Sequence, residues 1–280
     1  MENQTNPLKS YFRKPGIWIK LPSRGYFYKV KPSSLNDMGE IPIYPMTAKD
    51  ELLLKNADSL LNGTAIYDLI KNCAPSIQDP ESMPNIDLDA VLLAIRRATY
   101  GEYMDITVQH DCNTDAKNEV RLNLDHFIST IKTIDQVEPI ILDNGIKVFV
   151  RPVNVRQLLR LNWVQYQQIR NLQHAEQNGV DEKAKIDILQ SSYAELTEAS
   201  VAVVSDCIDT VLLPDATAVT DKDNITEWVL DLSNTDYKKI ENLIMGLSEQ
   251  GLQKKFQVTC DKCGKEFDSQ IDLNPTTFFG

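Results

Sequence analysis

The sequence predicts an α+β fold in which helical bundle elements carry small β-hairpins, and three observations predict it. Apolar residues recur at helical spacing over Leu88, Val91, Leu92 and Ile95, and again in two long stretches between Val155 and Leu213. Strict alternation takes over around Ile106, Val108, Val120 and Leu122. Turn signals such as Asp143-Asn144-Gly145 separate the alternating runs. At 280 residues, 42% hydrophobic and 25% charged, the chain has enough material for one large or two small cores.

Residues 1–15 are polar, carry Lys9, Arg13 and Lys14, and are expected to form a flexible basic arm. Residues 16–45, rich in Pro, Gly and aromatics, predict short strands joined by tight turns. A helical unit follows over 46–104. Thr47 with Asp50 and Glu51 has the features of a helix cap, a second helix is expected after Asn62-Gly63, and a third over Asp87–Tyr100. Residues 105–150 predict β-hairpins, the first interrupted by a polar knuckle containing His110 and Cys112. Residues 151–250 predict a helical domain. Its two long helices, Val155–Gln177 and Lys183–Leu213, break near Asn178-Gly179 and pack as an antiparallel pair, the second ended by Pro214. Their expected inner faces are Leu158, Leu161, Val164 and Ile169 on one and Ile188, Tyr193, Leu196, Ala199 and Val203 on the other. Shorter helices follow, one after Asp221 and one from Asp236 to Leu247. Residues 251–280 predict a strand, a Cys knuckle, a strand and an aromatic tail. The aromatics Tyr11, Phe12, Trp18, Tyr26, Phe27 and Tyr28 are expected mostly in the core of the N-terminal strands, with an interface anchor as the alternative.

The net charge of -11 sets the surface against phosphate backbones and anionic lipid, so neither nucleic acid nor membrane is an expected partner. Five cysteines, an odd number, do not suggest a secreted disulfide framework; a reducing cytosolic setting is expected. Residues 1–20 hold no apolar core of signal-peptide length, and no apolar run is long enough to span a bilayer.

Cys260-Asp261-Lys262-Cys263-Gly264 has the form of a zinc knuckle. Two thiolates three residues apart, followed by glycine, turn both sulfurs toward one tetrahedral centre. A closed site needs two further ligands. The first hairpin supplies the best candidates, because Val108 to Leu122 parallels Val258 to Leu273 as a degenerate repeat. In that register Cys112 matches Cys263, Gln109 stands where Cys260 would be, and His110 lies one position over. The predicted metal site is therefore Cys260, Cys263, Cys112 and His110, with zinc as a structural cofactor that completes the fold class with a zinc-knuckle (zinc-ribbon-like) subdomain. The C-terminal knuckle would join the first knuckle. The alternatives are a reducible thiol pair at Cys260 and Cys263, a buried thiol at Cys112 and a surface imidazole at His110. Cys73 and Cys207 fall on apolar helical faces and are expected in the core, while His126 and His174 are expected in solvent or at caps. Thiolate-rich ligation favours structure over catalysis. The sequence contains no Gly-rich phosphate loop, no Gly-x-Ser-x-Gly and no His-Glu-x-x-His, so no catalytic residues and no small-molecule substrate are predicted.

Leu21-Pro22-Ser23-Arg24-Gly25, Pro45-Met46-Thr47-Ala48-Lys49-Asp50-Glu51-Leu52-Leu53, Leu61-Asn62-Gly63-Thr64-Ala65, Tyr100-Gly101 and the C-terminal knuckle ending Phe278-Phe279-Gly280 resemble the baseplate hub protein family of T-even-like contractile-tailed bacteriophages. The resemblance runs through most of the first 130 residues and the last 25. It implies a structural or assembly component of a phage tail baseplate hub that binds other tail or baseplate proteins, has no enzymatic activity, and passes from host cytoplasm during assembly into the virion. A tail assembly chaperone absent from the mature virion is the alternative within that setting. A zinc-dependent hydrolase or thiol oxidoreductase is the alternative from another class. Many relatives carry Cys-x-x-Cys in the first knuckle, where this chain has His110 and Cys112.

Overall fold

A computed structural model describes residues 7–56, 59–60, 63–112, 117–134, 137–177, 182–273 and 278–279. Among them the chain forms eight α-helices and four small antiparallel sheets, an α+β architecture. Strands β1 (Ile17–Lys20) and β2 (Glu40–Ile43) pair with Ile17 opposite Ile43. The turn between them holds Arg24 and Phe27 at positive φ and is anchored from below: the Ser23 N–H and hydroxyl and the Tyr28 hydroxyl all donate to the buried Asp87 carboxylate. Burial pushes Asp87 up to about 6 against those donors. Ahead of β1, Pro7–Tyr11 forms a 3-10 turn, and Arg13 ties the following backbone to the body by donating to the carbonyls of Pro45 and Asn72 beside Asp50.

Helix α1 (Ala48–Leu54) starts in a capping box in which Thr47 and Asp50 exchange side-chain and backbone hydrogen bonds, as the sequence predicts. The α2 helix (Thr64–Cys73) follows Gly63; the rest of the predicted turn, at Asn62, lies outside the described residues. Its neighbour α3 (Asn85–Tyr100) is the central helix, with seven of its residues from Ala90 to Ile95 and Ile86 essentially without exposure. Two hairpins lie against this region, β3 (Tyr103–Gln109) with β4 (Lys117–Asn123), and β9 (Lys255–Thr259) with β10 (Glu266–Gln270). The alternation that passes through Leu122 ends at Asn123. Asn123 accepts from the His126 N–H and caps helix α4 (Leu124–Ser129), held to α3 by the two-pronged Arg97–Asp125 pair.

The hairpin predicted around Asp143-Asn144-Gly145 joins β5 (Ile140–Ile141) to β6 (Lys147–Val150), with Gly145 at φ 81°. Helix α5 (Val155–Gln177) matches its predicted span. Helix α6 (Glu182–Cys207) stops short of the predicted Leu213, because Ile208–Leu212 is strand β7, paired with β6 and with β8 (Ala218–Val219). The β-branched residues Ile208, Thr210 and Val211 suit a pleated surface, and pairing with β6 overrides the helical spacing. Helices α7 (Lys222–Leu230) and α8 (Asn234–Ser248) are capped by Asp221 and Ser233. The predicted break at Asn178-Gly179 lies outside the described residues, as do the side chains of Ile188 and His174.

Two apolar cores result. The first gathers β1, β2, α1 to α4 and both outer hairpins, and draws its residues from 19–155 and again from 252–279. Phe278 and Phe279 close it, with the Arg96 guanidinium over the Phe278 ring and donating to the Phe278 carbonyl. The second core uses Leu142, Val148, Val150, Val203, Val204, Cys207, Val211 and the inner faces of α7 and α8, all within 142–247. Cys73 and Cys207 are buried as predicted, one in each core, and burial pushes their thiols up to about 11 and about 12. The N-terminal aromatics differ from expectation. Tyr11 is 83% exposed, and Phe12, Trp18 and Tyr26 are also exposed: Trp18 lies on the outer face of a two-stranded sheet that covers only one face with core, and the other three lie outside the strands. No helix among the described residues is long and apolar enough to cross a membrane.

Candidate metal centre

Both outer hairpins run their inward residues into the first core: Met104, Ile106, Val120 and Leu122 from one, Phe256 from the other, with Val258 buried beneath. This shared footing brings the two hairpin tips side by side. There the ligand atoms of His110, Cys112, Cys260 and Cys263, all four predicted site residues, lie within 4.8 Å of one another. The Cys112 and Cys260 sulfurs are 3.7 Å apart, and the Cys263 sulfur is 3.4 Å from His110 Nδ1.

These separations discriminate between chemistries. A disulfide would need about 2.05 Å between sulfurs, and all four groups are unbonded: the three cysteines are free thiols. A tetrahedral zinc ion with Zn–S bonds of about 2.3 Å and Zn–N bonds of about 2.0 Å has sulfur–sulfur edges of about 3.8 Å and sulfur–nitrogen edges of about 3.5 Å. Both observed distances match those edges, so the donor set fits a closed, four-coordinate ion.

The second knuckle is built by its backbone. The Cys260 N–H donates to the Lys265 carbonyl, the Gly264 N–H donates to the Cys260 carbonyl, and Gly264 takes φ 69°, a left-handed conformation natural to glycine. Cys260 is buried while Cys263 and Cys112 are exposed. Burial by itself would push the Cys260 thiol up. The backbone N–H groups of Cys263 and Lys262, with the Cys112 and Cys263 side chains, donate to its sulfur and bring it down to about 6. Cys112 moves the other way. Desolvation and its hydrogen bonds to the Cys263 and Cys260 sulfurs push it up to about 11. The two shifts are of opposite sign, so one sulfur of the pair gives up its proton more readily than the other, and a divalent cation can take the place of the shared proton.

Counted from the strand ends, the two tips differ from the repeat register that the sequence suggests. Gln109 ends β3 as Thr259 ends β9, so His110 occupies the place of Cys260, the first residue beyond the strand. Cys112 then stands one residue nearer its strand than Cys263 does. At the shared first position an imidazole stands in place of a thiol. Its ring stacks on Phe267 of β10, centroids 4.5 Å apart and planes 23° from parallel, which turns Nδ1 toward Cys263.

Sequence reasoning missed two supporting residues. Phe267 is one, and Asn118 the other. Asn118 is 2% exposed on β4, accepts from the Asp261 N–H of the opposite knuckle at 2.8 Å and donates to the Val108 carbonyl. It thereby crosses from one hairpin to the other beneath the cluster. A polar residue at an inward position of β4, where alternation calls for an apolar one, is the signal that marks it. Of the remaining histidines, His126 is exposed at the start of α4 and is not among the cluster residues.

A family model described as T4 bacteriophage base plate protein matches residues 21–280, a span that includes both hairpins and all four cluster residues. No curated protein and no solved structure matches the chain.

Proposed function

Because the chain belongs to the T4 bacteriophage base plate protein family, we propose that it is a structural or assembly component of the tail baseplate hub whose fold is clamped by one structural zinc ion. His110 Nδ1 and the sulfurs of Cys112, Cys260 and Cys263 hold the ion. The protein acts through contacts with other tail and baseplate proteins, turns over no substrate, and is made in the host cytoplasm before it joins the particle.

The baseplate reading is carried by the family match, which extends over nearly the whole chain. The zinc reading is supported by one observation, the convergence within 4.8 Å of four ligand atoms from segments about 150 residues apart, two of whose separations match tetrahedral edges. Two hairpins of five to seven residues per strand bury little by themselves, and a bound ion would add to the Asn118–Asp261 hydrogen bond and the His110–Phe267 stack that already link their tips. Ligation by three sulfurs and one nitrogen leaves no open coordination position for substrate or water, which separates this site from a catalytic one.

Two measurements test the proposal. Mass spectrometry of mature particles should find this chain among the baseplate proteins; its absence would mean a chaperone that leaves before maturation. Elemental analysis of the purified protein should give one zinc per chain. Protein that is folded and metal-free after preparation without chelator would refute the clamp.

A further inference from the structure

The cations of this acidic chain are unevenly placed. Residues 1–35 contain seven basic residues and one acidic residue, whereas the rest of the chain contains 22 basic and 39 acidic. Between Pro7 and Asn36 there is no acid at all. Much of that stretch lies as a folded ribbon on the outside of the first core. Strand β1 turns Ile19 inward, and Trp18 and Lys20 outward. Two tight turns follow, closed by the Arg24 N–H on the Leu21 carbonyl and the Tyr26 N–H on the Ser23 carbonyl. The chain then doubles back until Pro32 stands against Gly25, which brings the exposed Lys29, Val30 and Lys31 beside the turn.

This ribbon is held from beneath and left bare above. Asp87 accepts from Ser23 and Tyr28, the Ile134 N–H donates to the Pro22 carbonyl, and the Ser33 N–H donates to the Ser76 carbonyl. On the solvent side, Trp18 is 43% exposed and Tyr26 51%. No ion pair joins Lys20, Lys29 or Lys31 to an acid among the described residues. Glu40, opposite Lys20 across the sheet, accepts from the Asn36 side chain at 2.8 Å.

We propose that this ribbon docks an acidic face of another tail protein, with Trp18 and Tyr26 as its anchors and Lys20, Lys29 and Lys31 pairing with the partner's carboxylates. The partner's class rests on the baseplate reading above; its chemistry follows from charge. Like-charged lysines gathered on one ribbon, with no acid of their own, are complementary to a cluster of carboxylates. Trp and Tyr are the side chains that anchor protein interfaces, and a backbone already pinned by Asp87 loses little freedom on docking. A nucleic-acid strand would carry its phosphates past the ribbon onto a body in which acids outnumber bases by 39 to 22. A folded protein can confine its acids to an area of the ribbon's size. A second copy would have to offer its own acidic body, and such a head-to-tail contact does not close on itself.

Cross-linking of the full chain in tail complexes isolated from infected cells tests this. The probe is a carbodiimide, which joins an amine to a carboxylate only where the two are in contact. The expected products link Lys20, Lys29 or Lys31 to Asp or Glu of a different tail protein. The combined variant Lys20→Glu, Lys29→Glu, Lys31→Glu should be recovered with the complexes at a level lower by roughly tenfold, with circular dichroism unchanged, because all three side chains are exposed. Trp18→Ala should lower recovery in the same direction, and Leu230→Asp, at an exposed apolar residue on α7, should leave it unchanged. Complexes that lack the chain altogether refute the baseplate reading and the partner with it. Complexes that contain the chain while these lysines are linked to nothing, or only to a second copy, refute the docking alone. So does sub-micromolar binding of a single-stranded oligothymidylate that the triple variant loses.

Discussion

The two knuckles contribute two ligands each to one cluster, yet they arrive there by different physics. In the C-terminal knuckle the turn itself is the device: short backbone hydrogen bonds and a left-handed Gly264 aim two sulfurs, and backbone N–H groups lower the Cys260 thiol to about 6. The first knuckle relies on support from outside. Its imidazole is positioned by an aromatic ring on the opposite hairpin, and its thiol, at about 11, is turned toward sulfurs it does not own. One half is preorganised and the other is recruited. This difference teaches that a metal site can tolerate an altered ligand in one half when the other half is fixed by main chain, because the fixed half sets the centre and the variable half needs only reach.

The sharpest way to break the comparison is to remove one sulfur from each side. Cys260→Ser should abolish zinc binding and expose β3, β4, β9 and β10 to rapid hydrogen exchange while β6 and β7 in the second core stay protected. Cys112→Ser should lower the zinc affinity without abolishing uptake, as measured by competition with a chromophoric chelator. Equal loss from both would show that the halves are equivalent. Next in size is the effect of pH. Zinc uptake must expel the protons its thiols still hold, that of Cys112 above all, so affinity should rise by about tenfold or more per pH unit above neutrality. Below about pH 6 Cys260 also becomes protonated, and affinity should fall more steeply there; a calorimetric titration series in pH would read both slopes. Asn118→Ala removes the cross-hairpin acceptor under the cluster and should weaken zinc by roughly 10- to 100-fold, since partners behind the ligands fix their orientation. The smallest change is expected from Phe267→Leu, which keeps an apolar contact but loses the ring stack on His110. A loss of roughly threefold to tenfold in affinity, absent when His110 is already Cys, would locate that contribution in the imidazole.

Much of this was legible in the residues, and the exceptions have physical causes. The capping box at Thr47 and Asp50, the alternation of β3 and β4 and the glycine turn of β5–β6 are local signals, and the chain obeys them. Strand β7 was hidden because Ile208–Leu212 continues the apolar spacing of α6 and becomes a strand only through pairing with β6, 58 or more residues earlier in the chain for most of its length. The convergence of Cys260, Cys263, Cys112 and His110 was visible from ligand types and repeat spacing. The register of His110 was not, since an imidazole and a thiol reach different distances from the same strand position. Asn118 and Phe267 gave only faint signals, because nothing in one hairpin's own sequence says what the other will place against it. Helices α5 and α6 are a different case: Ile169 and Tyr193 were expected on the inner faces but are exposed, because a clear helical period does not tell which of two stripes is covered.

The first core takes residues from both early and late in the chain, whereas the second is complete within 142–247. During synthesis, then, the later-encoded core can close while the earlier-encoded one still waits for Phe256, Leu273 and Phe278 to leave the ribosome. Helix α3, made early and apolar over most of its surface, stays incompletely shielded through that interval, and Cys260 and Cys263 emerge only near its close, long after Cys112. The proposed zinc site can be completed only after Cys260 and Cys263 emerge, and an ion bound there would pin the later hairpin to the earlier one.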